Sequence, residues 1–184
     1  MVGEYYVKRE LSKLDPKHYF LLNDIMLPSS GHTNTTQIDH LVVSNYGIFS
    51  IETKNYTGWI FGNAYDDYWT QVIYYYKKKF YNPLKQNYGH VKAIEEVLRR
   101  ESASVPIFSI IVFPSADKLK ISGTDTVVFW NKLLSVIQKK AMVYLSDEQK
   151  NLVYEKLKSA NISNKENRKR HIFEVKQQNK SNHL

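Results

Sequence analysis

The sequence predicts an α/β chain in which a mixed central sheet is flanked by helices. Three observations point there. Residues 36–44 and 47–54 are two runs rich in β-branched and aromatic residues, separated by Asn45-Tyr46, the composition and spacing of a hairpin. Residues 105–114 form a continuous apolar run bounded by prolines, as expected of a strand covered on both faces inside a sheet. Apolar residues recur at helical intervals after Glu4 (Val7, Leu11, Leu14) and again over 84–100 (Leu84, Val91, Ile94, Leu98), so helices are interleaved with the strands.

The elements follow in order. The first helix ends at Pro16, and Glu4 falls in its first turn, where a carboxylate is favoured by the helix dipole. Residues 18–27 read as the first strand and 28–35 as a polar loop into the hairpin. Residues 58–62 and 68–76 read as a strand pair joined by 63–67. Lys77, Lys78 and Lys79 follow at once. Aromatics interleaved with lysines suit stacking on bases and holding phosphates, with Lys85 beside them; a solvated lysine turn is the plain alternative. Pro83 suits the first position of the helix over 84–100. Short strands are expected at 118–121 and 126–129 and a helix over 130–140. Ser146-Asp-Glu-Gln149 matches a capping box opening a helix to about 159, with Leu152, Val153 and Leu157 apolar.

Length and composition fit one globular domain over residues 1–162. At 184 residues and 42% hydrophobic, the chain can bury roughly 70% of the surface of its unfolded state. Lys and Arg number 26 against 18 Asp and Glu, a net charge of +8 and a pI near 9.4, which favours a polyanionic partner such as nucleic acid. Half of that surplus lies in residues 163–184, six basic against two acidic, read as a basic, mobile tail. Cysteine is absent, which excludes a disulfide framework, a thiolate nucleophile and a cysteine zinc site. The first ten residues mix acidic and basic side chains without an apolar core, and no stretch of about 18 apolar residues follows. A cytoplasmic, non-membrane protein is expected.

The hairpin carries the chemistry. With Asn45-Tyr46 as its loop, Ser44 faces Gly47 and Asp39 lies opposite Glu52, with Lys54 two residues further on the same face. Directly opposed residues have Cβ atoms about 4.5–5.5 Å apart, and like charges so placed repel unless a cation sits between them. A hard divalent metal such as Mg²⁺ takes one or two carboxylates and keeps waters, leaving positions for a phosphate. Lys54 beside it would neutralise charge developing on phosphorus. A solvated polar face, with Lys54 as counter-ion to the acids, is the other reading of these three residues.

Asp39-x12-Glu52-Thr53-Lys54 resembles the core signature of the PD-(D/E)xK nuclease superfamily. The wider set resembles one member, the nuclease-related domain (NERD): Gly3-Glu4, Ile38-Asp39-His40, Gly47-Ile48-Phe49, Ile51-Glu52-Thr53-Lys54-Asn55-Tyr56-x-Gly58 and Asn82-Pro83-Leu84-x-Gln86. The blocks run in the family's order over roughly residues 3 to 130. The resemblance implies a restriction-endonuclease-like core and metal-dependent cleavage of nucleic acid, expected to be DNA. It implies Asp39 and Glu52 as metal ligands and Lys54 as the catalytic lysine, with Glu4 and Gln86 supporting. The Thr53 carbonyl is a further candidate ligand. Mg²⁺ is the expected cofactor, with Mn²⁺ substituting. Two isolated histidines, His40 and His90, lack zinc-site spacing and are read as core or supporting residues. No helix-turn-helix, zinc finger or P-loop is present, so specificity is expected from a protein partner or a homodimer. A module that keeps the fold and binds nucleic acid or protein without cutting is the alternative function.

Overall fold

A computed structural model describes residues 2–31, 33–99 and 105–181. The predicted helix end at Arg100, position 32 of the polar loop and the last three residues of the tail lie outside the described residues. The chain is mixed α/β. Helix α1 (Val2–Leu11) precedes β1 (Tyr19–Pro28), β2 (Thr35–Ser44) and β3 (Gly47–Thr53). These three strands are antiparallel neighbours, and β2 meets β3 with Ser44 opposite Gly47 and His40 opposite Ile51. The hairpin register is therefore the expected one, turned by Asn45-Tyr46 and a Gly47 at φ +125°, a conformation that favours glycine. Asn45 is tied down from outside: its Nδ2 donates to the Leu145 carbonyl at 3.1 Å and it accepts from the buried Lys150 at 3.1 Å.

The apolar run predicted to lie inside the sheet is β7 (Ile107–Val112), parallel to β3, with the two-residue β9 (Val127–Val128) parallel on its other side. Period-two alternation sends alternate side chains to opposite faces. Leu41, Val43 and Ile48 pack with α2 (Pro83–Leu98) and α4 (Asp147–Ser159), while Val42, Phe49 and Ile51 pack with α1 and α3 (Leu133–Gln138). Helix α4 opens on the expected capping box, with Gln149 N–H donating to Ser146 Oγ at 3.2 Å and Ser146 N–H donating to Gln149 Oε1 at 2.9 Å. Residues 130–140 are less regular than expected, a 3₁₀ turn (Trp130–Lys132) leading into the short α3.

A second sheet, not foreseen as separate, holds β4 (Trp59–Asn63), β5 (Tyr68–Ile73), β6 (Tyr76–Tyr81) and β8 (Lys118–Ser122) in the order β6-β5-β4-β8. Residues 68–76 are not one strand: the chain reverses at Tyr74-Tyr75, with Tyr74 at φ +52°. Lys77, Lys78 and Lys79 accordingly sit in β6 rather than in a turn. This sheet closes on the first through Ile60, Trp69 and Phe80 packed on Ile111 and Phe113. The tail segment carries α5 (Lys165–Ser181), which meets the β1–β2 region through polar contacts, Arg168 with Asp24 at 2.8 Å and Asn34 with Glu174 at 3.1 Å. Among the described residues no helix is long and apolar enough to cross a membrane.

Candidate active site

Three elements, β2, β3 and α2, converge where the β2–β3 pairing ends, at the C-terminal end of β3. Glu52, on β3, is buried at 4% exposure, a position an unpaired carboxylate does not tolerate. Its partners come from the next residues of the chain and from α2. Lys54 Nζ stands 2.7 Å from Glu52 Oε1, and Gln86 Nε2 donates to the same oxygen at 2.9 Å. Lys54 in turn donates to Gln86 Oε1 at 2.7 Å. Gln86 thus grips the acid with its amide nitrogen and the lysine with its amide oxygen. Glu52 Oε2 faces His90 Nδ1 at 3.6 Å; burial, the larger influence, holds His90 below its ordinary pKa and outweighs the pull of Glu52.

Gln86 reaches this point because α2 is fixed at its start. Asn82 caps the helix, accepting from Leu84 N–H at 2.9 Å, and its Nδ2 donates to the Ala64 and Asp66 carbonyls at 3.0 and 2.7 Å. One residue beyond Gln86, the buried Asn87 donates to the Ser50 carbonyl at 2.9 Å and to Ser109 Oγ at 2.8 Å, and it accepts from Ser50 Oγ at 2.7 Å. Asn87 clamps α2 to β3 and β7. The sequence reading missed it, although a polar residue on the buried stripe that holds His90, Val91 and Ile94 marks a position that must be satisfied inside the fold.

Asp39 completes the pair. Its Oδ2 accepts from the Thr53 backbone N–H at 2.8 Å, which anchors it to the strand carrying Glu52. Burial, and next the Glu52 charge, push its carboxyl up to about 7, against the lowering effect of the Thr53 bond; the Glu4 charge adds to the rise. Asp39 and Glu52 thus lie close enough for the Glu52 charge to act on Asp39. Glu4 itself is exposed on α1, whose approach depends on Gly3: a Cβ there would lie 2.9 Å from Asn55 Oδ1 and 3.1 Å from Pro114. His40, next to Asp39, is pushed down to about 4 by burial and meets Asn23 Oδ1 through Nδ1 at 2.7 Å. Its Nε2 and the Thr53 hydroxyl are buried without a hydrogen-bond partner among the described residues.

The donor set suits a hard cation. The Glu52 charge adds to the cost of ionising Asp39, and a divalent ion beside a carboxylate removes such a cost. Among the described residues no cluster of three or more His, Cys, Asp and Glu is poised to hold a metal, so any ion at Asp39 and Glu52 would keep water or substrate oxygens in its remaining positions. Of the residues predicted to touch nucleic acid, Lys77, Lys78 and Lys79 are exposed on β6, whereas Lys85 is engaged by Asp67, which raises its pKa.

A mixed sheet that presents two carboxylates and a lysine beside a hairpin defines a nuclease-like α/β protein. The chain belongs to the nuclease-related domain (NERD) family, part of the PD-(D/E)xK-like nuclease group, with the match covering residues 1–114. It is 38% identical over 174 residues to an uncharacterized protein of Bacillus anthracis, an alignment covering 92% of this chain and 80% of that one. No solved structure matches.

Proposed function

We propose that the chain is a metal-dependent nuclease that hydrolyses phosphodiester bonds, with DNA as its substrate and Mg²⁺ or Mn²⁺ as its ion. One observation carries the reading: a buried Glu52 locked to Lys54 through Gln86, with Asp39 beside it pushed up to about 7 by burial and by the Glu52 charge. Asp39 and Glu52, with the Thr53 carbonyl, would hold the ion. Such an ion, when bound, polarises a phosphoryl oxygen and lowers the pKa of a coordinated water.

The protein's own groups do the rest. Hydrolysis adds the oxygen of water to phosphorus and breaks one P–O ester bond, with negative charge building on the phosphoryl oxygens on the way. An ammonium at Lys54 neutralises that charge, and it acts best when it need not reorient. Gln86 supplies that orientation. Glu4 contributes charge at the edge of the site, and Asn87 keeps α2 in register with β3. The alternative, a module that holds nucleic acid without cutting, draws on the same Lys54–Glu52 contact, since an internal ion pair already neutralises one carboxylate. Incubating the purified chain with linear and circular plasmid, single-stranded DNA and RNA in Mg²⁺, Mn²⁺ or EDTA separates the two. Cleavage that requires the ion supports the nuclease; binding with no cleavage in any ion supports the module.

A further inference from the structure

The second sheet has one face on the core and one on solvent, and register sorts its side chains. Ile60, Trp69 and Phe80 point inward with Leu119 and Ile121 beside them. The alternate positions therefore point outward: Trp59 and Phe61 on β4, Lys118 and Lys120 on β8, Lys77 and Lys79 on β6. Tyr68 and Tyr81, paired across β5 and β6 with ring centroids 6.0 Å apart, stand at one end of the same face. No Asp or Glu occupies an outward position on any of the four strands. Asp66, Asp67, Asp117 and Asp125 lie in the loops that flank these strands, and Asp67 is engaged by Lys85.

Lysine and ring are already coupled there. Lys118 Nζ lies 4.9 Å from the Trp59 ring and Lys120 Nζ lies 5.6 and 5.5 Å from Trp59 and Phe61, so positive charge is placed beside aromatic surface. Trp59 keeps 44% exposure, Tyr68 46% and Tyr81 50%. A surface of this kind stacks bases while its lysines take the phosphates. Stacking selects the strand class. The Trp59 and Phe61 rings stand side by side with centroids 6.2 Å apart, and a base stacks on either ring only if its own face is free. In a duplex the base faces are covered by their stacked neighbours, whereas a single strand can turn its bases out onto the rings.

We infer that the outward face of β6-β5-β4-β8 is a binding platform for single-stranded nucleic acid, with bases on Trp59 and Phe61 and phosphates on Lys77, Lys79, Lys118 and Lys120. It rests on the nuclease reading for the identity of the polyanion and adds where that polyanion is held and in which form. The test is anisotropy of labelled single-stranded DNA, single-stranded RNA and duplex DNA with the full chain in EDTA, so that binding is read without cleavage. Trp59→Ala with Phe61→Ala weakens single-strand binding about tenfold or more. Lys118→Gln with Lys120→Gln lowers the slope of log affinity against log salt by about 1.4, two phosphate contacts at about 0.7 each. Lys13→Gln with Lys17→Gln, an equal charge change away from this sheet, leaves affinity within about twofold of the wild type.

Thermal melts check folding, and the lysine pair decides the matter if the aromatic pair does not fold. The inference is overturned if wild type binds no single strand, if both face variants bind as wild type does, or if duplex binds as tightly and loses as much on the aromatic change. Binding with this pattern but no cleavage in Mg²⁺ or Mn²⁺ removes the nuclease reading and keeps the platform. Cleavage with both face variants unaffected does the reverse.

Discussion

The carboxylate site and the outward face of the second sheet treat charge in opposite ways. At the site, Glu52 is buried and each of its oxygens faces a named partner, Lys54 and Gln86 on one side and His90 on the other. On the sheet face, Lys77, Lys79, Lys118 and Lys120 are exposed, and the two on β8 lie over aromatic rings. Buried charge costs several kcal/mol unless it is compensated, so geometry there is fixed and each partner matters. Exposed charge is screened and acts in sum, by attracting a polyanion rather than by any one contact. On the proposed reading, chemistry belongs to the first region and capture to the second.

Breaking the buried side gives the largest effects. Glu52→Ala takes cleavage to background in a plasmid assay while nucleic-acid binding persists or tightens, because a negative charge facing phosphate is gone. Lys54→Ala lowers cleavage about 10²–10³-fold, the scale of losing one preorganised stabiliser of transition-state charge, yet leaves metal binding in place, since an ammonium is not a ligand. Rates for Glu52→Ala close to wild type would remove the acid pair from the chemistry. Gln86→Ala comes next, with a loss of about 10–100-fold, the usual range for a residue that orients a metal ligand; unchanged single-turnover rates would make Gln86 a bystander. Deleting residues 163–184 has the smallest effect on the fold, because α5 is held by exposed polar contacts such as Arg168 with Asp24. A fall in Tm of about 2–4 °C, near 1 kcal/mol, is expected, together with weaker binding of nucleic acid as basic charge is lost. A much larger fall would make α5 a structural part of the fold.

The same division decides what could be read from the sequence. Asp39 and Glu52 were legible because a two-residue hairpin loop leaves one register, and that register is observed. Ser146 and Gln149 announced α4 by a local hydrogen-bond pattern that does not depend on the rest of the fold. The Tyr74-Tyr75 reversal was not legible, since tyrosine is a strand former and neither Gly nor Asn marks the turn. Lys77, Lys78 and Lys79 gave no strand signal for a related reason: lysine is depleted in strands, and β6 exists because Phe80 is buried beside Trp69 and its backbone pairs with β5. The separation into two sheets depends on long-range packing of Ile60 and Trp69 against Phe113, which no local pattern encodes. Gln86 was placed near the site from the sequence; its bond to Glu52, which completes the bridge from Lys54, became visible only in the structure.

If Asp39 and Glu52 are held together for a cation, calorimetric titration with Mn²⁺ at one pH below and one above the Asp39 value will register it. Asp39 is raised to about 7, so without metal its protonated form is favoured up to that pH, and the folded state loses stability as the pH rises through it. An ion must displace that proton. Affinity is therefore predicted to rise with pH through about 7, with proton release on binding at the lower pH, and to fall sharply in Asp39→Asn. Binding that is absent at both pH values, or equal in wild type and Asp39→Asn, would show that the two carboxylates do not form a cation site.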